Sequence, residues 1–98
     1  MSVTKAKFEA RGDKLFIDGK EVLKGWESFS GWYWFAIELD HTQDSIINGK
    51  VYENDKIWFG YVQGLCEEWG YFSEAEINSL KPKTWEIPPL NIPYSGRR

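Results

Sequence analysis

The chain has 98 residues, a net charge of −3 and one cysteine, and its aromatic side chains number six Trp, five Tyr and six Phe. That length fits a single small domain over 1–98; one cysteine excludes an intrachain disulfide, and no run approaches the roughly 18 apolar residues of a membrane span. Charge is uneven: residues 26–80 carry two basic side chains, Lys50 and Lys56, against ten acidic ones, between mildly basic ends, an arrangement unsuited to phosphate contact at the centre.

In a chain this short the core must be rich in apolar area, and each large aromatic can bury about 150–250 Å². Residues 7–10 and 14–17 read as short strands. Asp18-Gly19 lies between LFI and KEVL, a two-residue hairpin signal, because Asp and Gly tolerate the positive φ of a type I′ turn. This pairing sets Ile17 opposite Lys20 and Leu15 opposite Val22.

Residues 25–31 read as a loop. Residues 32–39, WYWFAIEL, have the aromatic, β-prone composition of a strand. Simple alternation places Tyr33, Phe35, Ile37 and Leu39 on one face and Trp32, Trp34, Ala36 and Glu38 on the other. Both faces are largely apolar, so a central strand covered on two sides is expected. Residues 40–45 read as a polar turn. Asn48-Gly49 marks a second hairpin with short flanks. Residues 56–63, KIWFGYVQ, form the next strand, with Ile57, Phe59 and Tyr61 on one face and Trp58, Gly60 and Val62 on the other. Gly60 invites a neighbouring Trp or Tyr to lie over its backbone.

Residues 69–72 suggest one more short strand. Ser73-Glu74-Ala75-Glu76 fits a capping box, with Phe72 and Ile77 at the staple positions. The helix it opens is short, near 74–80, because Lys81 precedes Pro82 and the residue before proline avoids the helical region. Residues 85–94, WEIPPLNIPY, hold three prolines and cannot form a central strand. They should run extended over the body, anchored by Trp85, Leu90, Ile92 and Tyr94. No P-x-x-P spacing marks them as a docking peptide. The ends, 1–5 and 95–98, are expected to fray. The fold class expected is α+β: an antiparallel sheet of about five strands, one short helix near 74–80 and an extended Pro-rich C-terminal segment.

Catalytic chemistry finds little support. His41, between Asp40 and Asp44, fits no metal-ligand spacing and reads as a surface histidine. The serines lack a neighbouring base, and no G-x-S-x-G occurs. Cys66 reads as a small buried hydrophobe. Glu67 and Glu68 are adjacent, so on a strand they point to opposite faces and do not share one acid–base site. No phosphate-cradling glycine motif is present. Neither a catalytic residue, a metal nor a cofactor is expected. Residues 1–11 carry no apolar signal-peptide core, so a soluble, cytoplasmic protein is expected.

Residues 32–80 resemble a small family, of unassigned biochemical role, carried mainly on plasmids, integrated elements and phages. Its members pair a Trp-rich strand with a later "FFGYV-x-GL … ELGYFSL-x-EL" segment. Phe59, Gly60, Tyr61, Val62, Gly64, Leu65, Glu68, Gly70, Tyr71, Phe72, Ser73 and Glu76 match that pattern, whereas Trp69 and Glu74 stand where the family has Leu. The resemblance implies a mobile-element setting and a compact α+β domain, and carries no active-site residue across.

These readings favour a non-enzymatic interaction protein. Trp32, Trp34 and Trp58 would anchor a protein partner, since Trp and Tyr dominate interface hot spots. Glu67 and Glu68 would belong to an acidic rim that steers association. The alternative is a nucleic-acid-binding module using the basic ends and aromatic stacking. Oligomeric state is not legible.

Overall fold

The computed structural model describes residues 6–64, 67–80 and 82–91. Strands β1 (Phe8–Arg11), β2 (Lys14–Ile17) and β3 (Lys20–Glu21) form a small antiparallel sheet. A five-stranded antiparallel sheet follows. It is built from β4 (Lys24–Ser28), β5 (Tyr33–Ile47), β6 (Lys50–Gln63), β7 (Glu67–Ser73) and β8 (Thr84–Ile87), in the order β7-β6-β5-β4-β8. Helix α1 (Glu74–Asn78) follows β7, and a 3-10 turn (Pro89–Asn91) follows β8. The molecule is therefore mostly antiparallel sheet with one short helix, compatible with the α+β expectation. The separate three-stranded sheet is an addition to it.

Both hairpin signals operate as expected. Asp18 and Gly19 have φ of 52° and 80°, Asn48 and Gly49 of 53° and 78°, the positive pair that a type I′ turn requires. Ile17 faces Lys20, and the Val22 N–H donates to the Leu15 carbonyl at 2.8 Å. Asp18 adds a clasp, its carboxylate accepting from the Lys7 N–H at 2.8 Å.

The central strand is covered on both sides. On one face Phe35 and Tyr61 pack with Leu15 and Ile17 of the small sheet and with Val22 just beyond it. On the other, Trp26, Ala36 and Trp58 pack with Ile77 of α1. Trp26, Phe35, Leu15 and Ile17 are fully buried, each contributing about 1.5–3 kcal/mol relative to exposure. The staple holds: Phe72 packs against the Ile77 cluster and sets its ring edge-on to Trp26 at 5.9 Å.

Four expectations are corrected. Residues 25–31 are not wholly loop, since Lys24–Ser28 is a strand paired to both β5 and β8. Residues 40–45 are not a turn. They continue β5, so β5 and β6 form one long hairpin whose outer part pairs with no further strand among the described residues. Leu39 does not share a face with Phe35. The β5–β6 pairing shifts between Ala36 and Glu38, so Glu38 faces Phe59 and Leu39 faces Trp58; one extra residue in a β-bulge inverts the alternation beyond it. Gly60 lies under the Phe35 carbonyl rather than under an aromatic ring: a β-carbon there would sit 1.9 Å from that oxygen.

The strand expected at 69–72 extends over Glu67–Ser73, and α1 is five residues long, shorter than the two turns expected. The Pro-rich segment begins as the edge strand β8, which ends before Pro88. Cys66, Lys81, Ile92 and Tyr94 lie outside the described residues.

Candidate functional site

Strand register sorts the five expected site residues. Trp34 pairs with Val62, and Val62 with Glu68, so Trp34 and Glu68 point to the same face, two strand spacings or about 10 Å apart. Trp58 is on that face too, but it is only 6% exposed. The helix covers it, and its indole N–H donates to Glu74 Oε1 at 2.8 Å. Trp58 is thus a core residue, out of reach of a partner. Glu67 is on the opposite face, opposite Gln63, where it accepts from the Tyr61 hydroxyl at 2.6 Å. Burial first, then this hydrogen bond to Glu67, raises the Tyr61 pKa. Glu67 is therefore occupied in holding the sheet rather than solvated, while Glu68 is exposed.

Trp32 and Trp34 are brought together. Their rings stack at 6.2 Å with planes 28° apart, although two residues apart on one strand face they would ordinarily stand side by side. The cause is local. The turn at 29–31 closes through Gly31 N–H to the Ser28 carbonyl at 3.0 Å, with Gly31 at φ 92°. Ser28 Oγ accepts from the Trp32 N–H at 3.0 Å and pairs with Ser30 Oγ at 2.9 Å. Trp32 then leans across Gly64, where a β-carbon would lie 2.4 Å from the ring.

This pair forms one wall of a groove of about 240 Å³, completed by Phe29, Leu80 and Lys83 above a floor of Ser28 and Thr84. The far lip is the connection after α1. Thr84 Oγ1 donates to the Ile77 carbonyl at 2.6 Å, and the Phe29 N–H donates to the Lys83 carbonyl at 3.0 Å. The lips are thereby cross-linked. Phe29 is 71% exposed, Leu80 46% and Trp32 36%. Its hydroxyls are already hydrogen-bonded within the fold, so what the groove offers is apolar surface with an ammonium at its side. Sequence reasoning missed Phe29, Leu80 and Lys83; Phe29 was signalled by a large apolar side chain between two serines, Leu80 and Lys83 by no local pattern.

Two polar clusters lie elsewhere. Asp55, 4% exposed, accepts from Ser45 Oγ at 2.7 Å, from the Ala75 N–H at 2.8 Å and from Ser73 Oγ. Ser73 Oγ in turn caps α1 by accepting from the Glu76 N–H at 3.0 Å. The bonds from Ser73 Oγ and the Ala75 N–H fasten the start of the helix to the hairpin, and the bond from Ser45 Oγ fixes Asp55 within the hairpin, so the cluster is structural. On the exposed outer hairpin, His41 Nδ1 meets Asp40 Oδ2 at 2.6 Å and Nε2 meets Gln43 Oε1 at 2.9 Å. Two acceptors favour the doubly protonated ring; the bonds to Gln43 and then Asp40 raise its pKa. Among the described residues no group of three or more His, Cys, Asp or Glu is placed to hold a metal ion, and no helix is long and apolar enough to cross a membrane.

Comparison with protein-family models, with curated proteins and with solved structures returns no match.

Proposed function

We propose that the chain is a non-enzymatic protein-interaction domain that receives an apolar side chain of a protein partner in the Trp32–Trp34 groove. The carrying observation is the exposure of Phe29, Leu80 and Trp32 around one preformed concavity. Large apolar groups held open to water at this cost are typical of contact sites, and buried Trp anchors dominate such interfaces. Glu68, on the same face, supplies an acidic flank for a basic residue of the partner. The resemblance of residues 32–80 to a family carried on mobile elements suggests a cytoplasmic host factor as the class of partner.

The test is affinity capture with Trp32→Ala and Phe29→Ser beside the parent chain, each first shown folded by circular dichroism. A discrete protein retained by the parent and lost by both variants supports the reading. Unchanged retention by folded variants overturns it. So does tight nucleic-acid binding with a steep salt slope, which would favour stacking on the aromatics instead.

A further inference from the structure

The five-stranded sheet has two edges, β8 and β7, and they are built differently. Open edges invite pairing with another chain, and folds usually blunt them with proline, lysine, a bulge or shortness. β8 is blunted: it has four residues and runs into Pro88 and Pro89. β7 has seven residues, no proline, no lysine and an unbroken register with β6 from Ser73 to Glu67. Among the described residues no strand pairs with its outer side.

The sequence of β7, EEWGYFS, complements itself when reversed about Gly70. That alignment sets Trp69 against Tyr71, Glu68 against Phe72 and Glu67 against Ser73, with Gly70 meeting Gly70. All seven positions pair, and no glutamate faces a glutamate, a juxtaposition that would be repulsive. Within one chain, Phe59 already stacks on Trp69 at 5.8 Å and meets Tyr71 edge-on at 5.2 Å. Tyr61 meets Trp69 edge-on at 5.2 Å. Tyr71 ends this row at the open edge, 65% exposed. A reversed second β7 would carry the row onward, each Tyr71 beside the other copy's Trp69, the type of cross-strand aromatic pair that stabilises antiparallel sheets.

We propose that two copies of this chain associate through β7, antiparallel about a two-fold axis at Gly70, so that their five-stranded sheets become one continuous sheet. The contact is isologous and closed, each chain giving and receiving the same strand. It uses the sheet edge opposite β8 and does not depend on the groove's function; Glu68, in β7, is the one residue common to this seam and to the groove's acidic flank.

Gly70 supplies the test, because a β-carbon there meets nothing within 4 Å and the two-fold axis would set any new side chain against its own copy. Sedimentation equilibrium from about 1 µM to about 500 µM should show a monomer–dimer equilibrium. Gly70→Lys and Gly70→Glu should each weaken it by about fivefold or more, as like charges directly opposed across strands are destabilising. An equimolar mixture of the two should associate more tightly than either alone. Independently of any variant, outward amides of residues 67–73 in the parent chain should gain hydrogen-exchange protection as concentration rises. A parent chain monomeric across the range overturns the proposal. So does a dimer indifferent to both substitutions, or one whose added protection falls outside β7.

Discussion

Trp32 occupies the space that a side chain on Gly64 would need: a β-carbon there would lie 2.4 Å from the ring's Cε3 and Cζ3. The ring is about one-third exposed and can swing outward, so Gly64→Ala should cost only about 1 kcal/mol in urea unfolding. The displaced indole should unstack from Trp34, shift tryptophan emission to the red and weaken capture of the groove's partner. A Gly64→Ala protein with parental emission and binding would show that the groove does not rely on this contact.

Gly60 presents the opposite case. Its missing side chain faces backbone, with the Phe35 carbonyl oxygen 1.9 Å from the position of an added β-carbon. Backbone in the middle of the β5–β6 ladder cannot step aside without breaking pairing on both strands. Gly60→Ala should therefore cost about 3 kcal/mol or more, read as a lower urea midpoint or loss of the folded fraction.

Asp55→Ala should destabilise by about 3 kcal/mol, because it strands the Ala75 N–H and two hydroxyls that had a charged acceptor. Asp55→Asn keeps the shape but loses the charge and one acceptor oxygen, and should cost about half as much. Far-ultraviolet circular dichroism alongside urea unfolding separates loss of α1 from loss of the whole fold.

His41 should titrate above its ordinary value of 6.5, since its ring nitrogens face Gln43 and Asp40, which favour the protonated form. A group whose folded pKa is raised contributes stability that is fully present below the unfolded value and is lost as pH rises through the folded one. The outer hairpin should thus be tightest below about pH 6.5 and loosen as pH climbs past the raised midpoint. Proton NMR of the ring gives that midpoint, and both Gln43→Ala and Asp40→Asn should lower it. An unshifted midpoint in the parent chain would mean the pair of hydrogen bonds does not persist in solution.

Much of the scaffold was legible because its signals are local. Asp18-Gly19 and Asn48-Gly49 state their backbone needs within two residues, and Ser73 caps α1 through an atom three residues away. What failed was non-local. Nothing in WYWFAIEL announces the bulge after Ala36, so simple alternation runs one residue too far and puts Leu39 on the wrong face. Residues 40–45 look like a turn by composition, yet pairing with β6 makes them strand. Trp34 and Trp58 are equivalent by alternation; which one the helix covers depends on where the connection after β7 lands. The groove joins residues of 28–34 to Leu80, Lys83 and Thr84, some fifty positions away, and no short-range pattern joins them.

Among the described residues the outer part of the β5–β6 hairpin, around Asn48-Gly49, has no third strand beside it: β4 reaches β5 only as far as Ala36, and β7 reaches β6 only back to Ile57. A two-stranded ribbon has little stability of its own, and the one buried group it sends inward, Asp55, is also what fastens the first turn of α1. Fraying that begins at the ribbon's tip need travel only to Asp55 to unseat the helix that roofs Trp58. Thermal softening of a solvent-exposed arm would in this way reach the centre of the molecule.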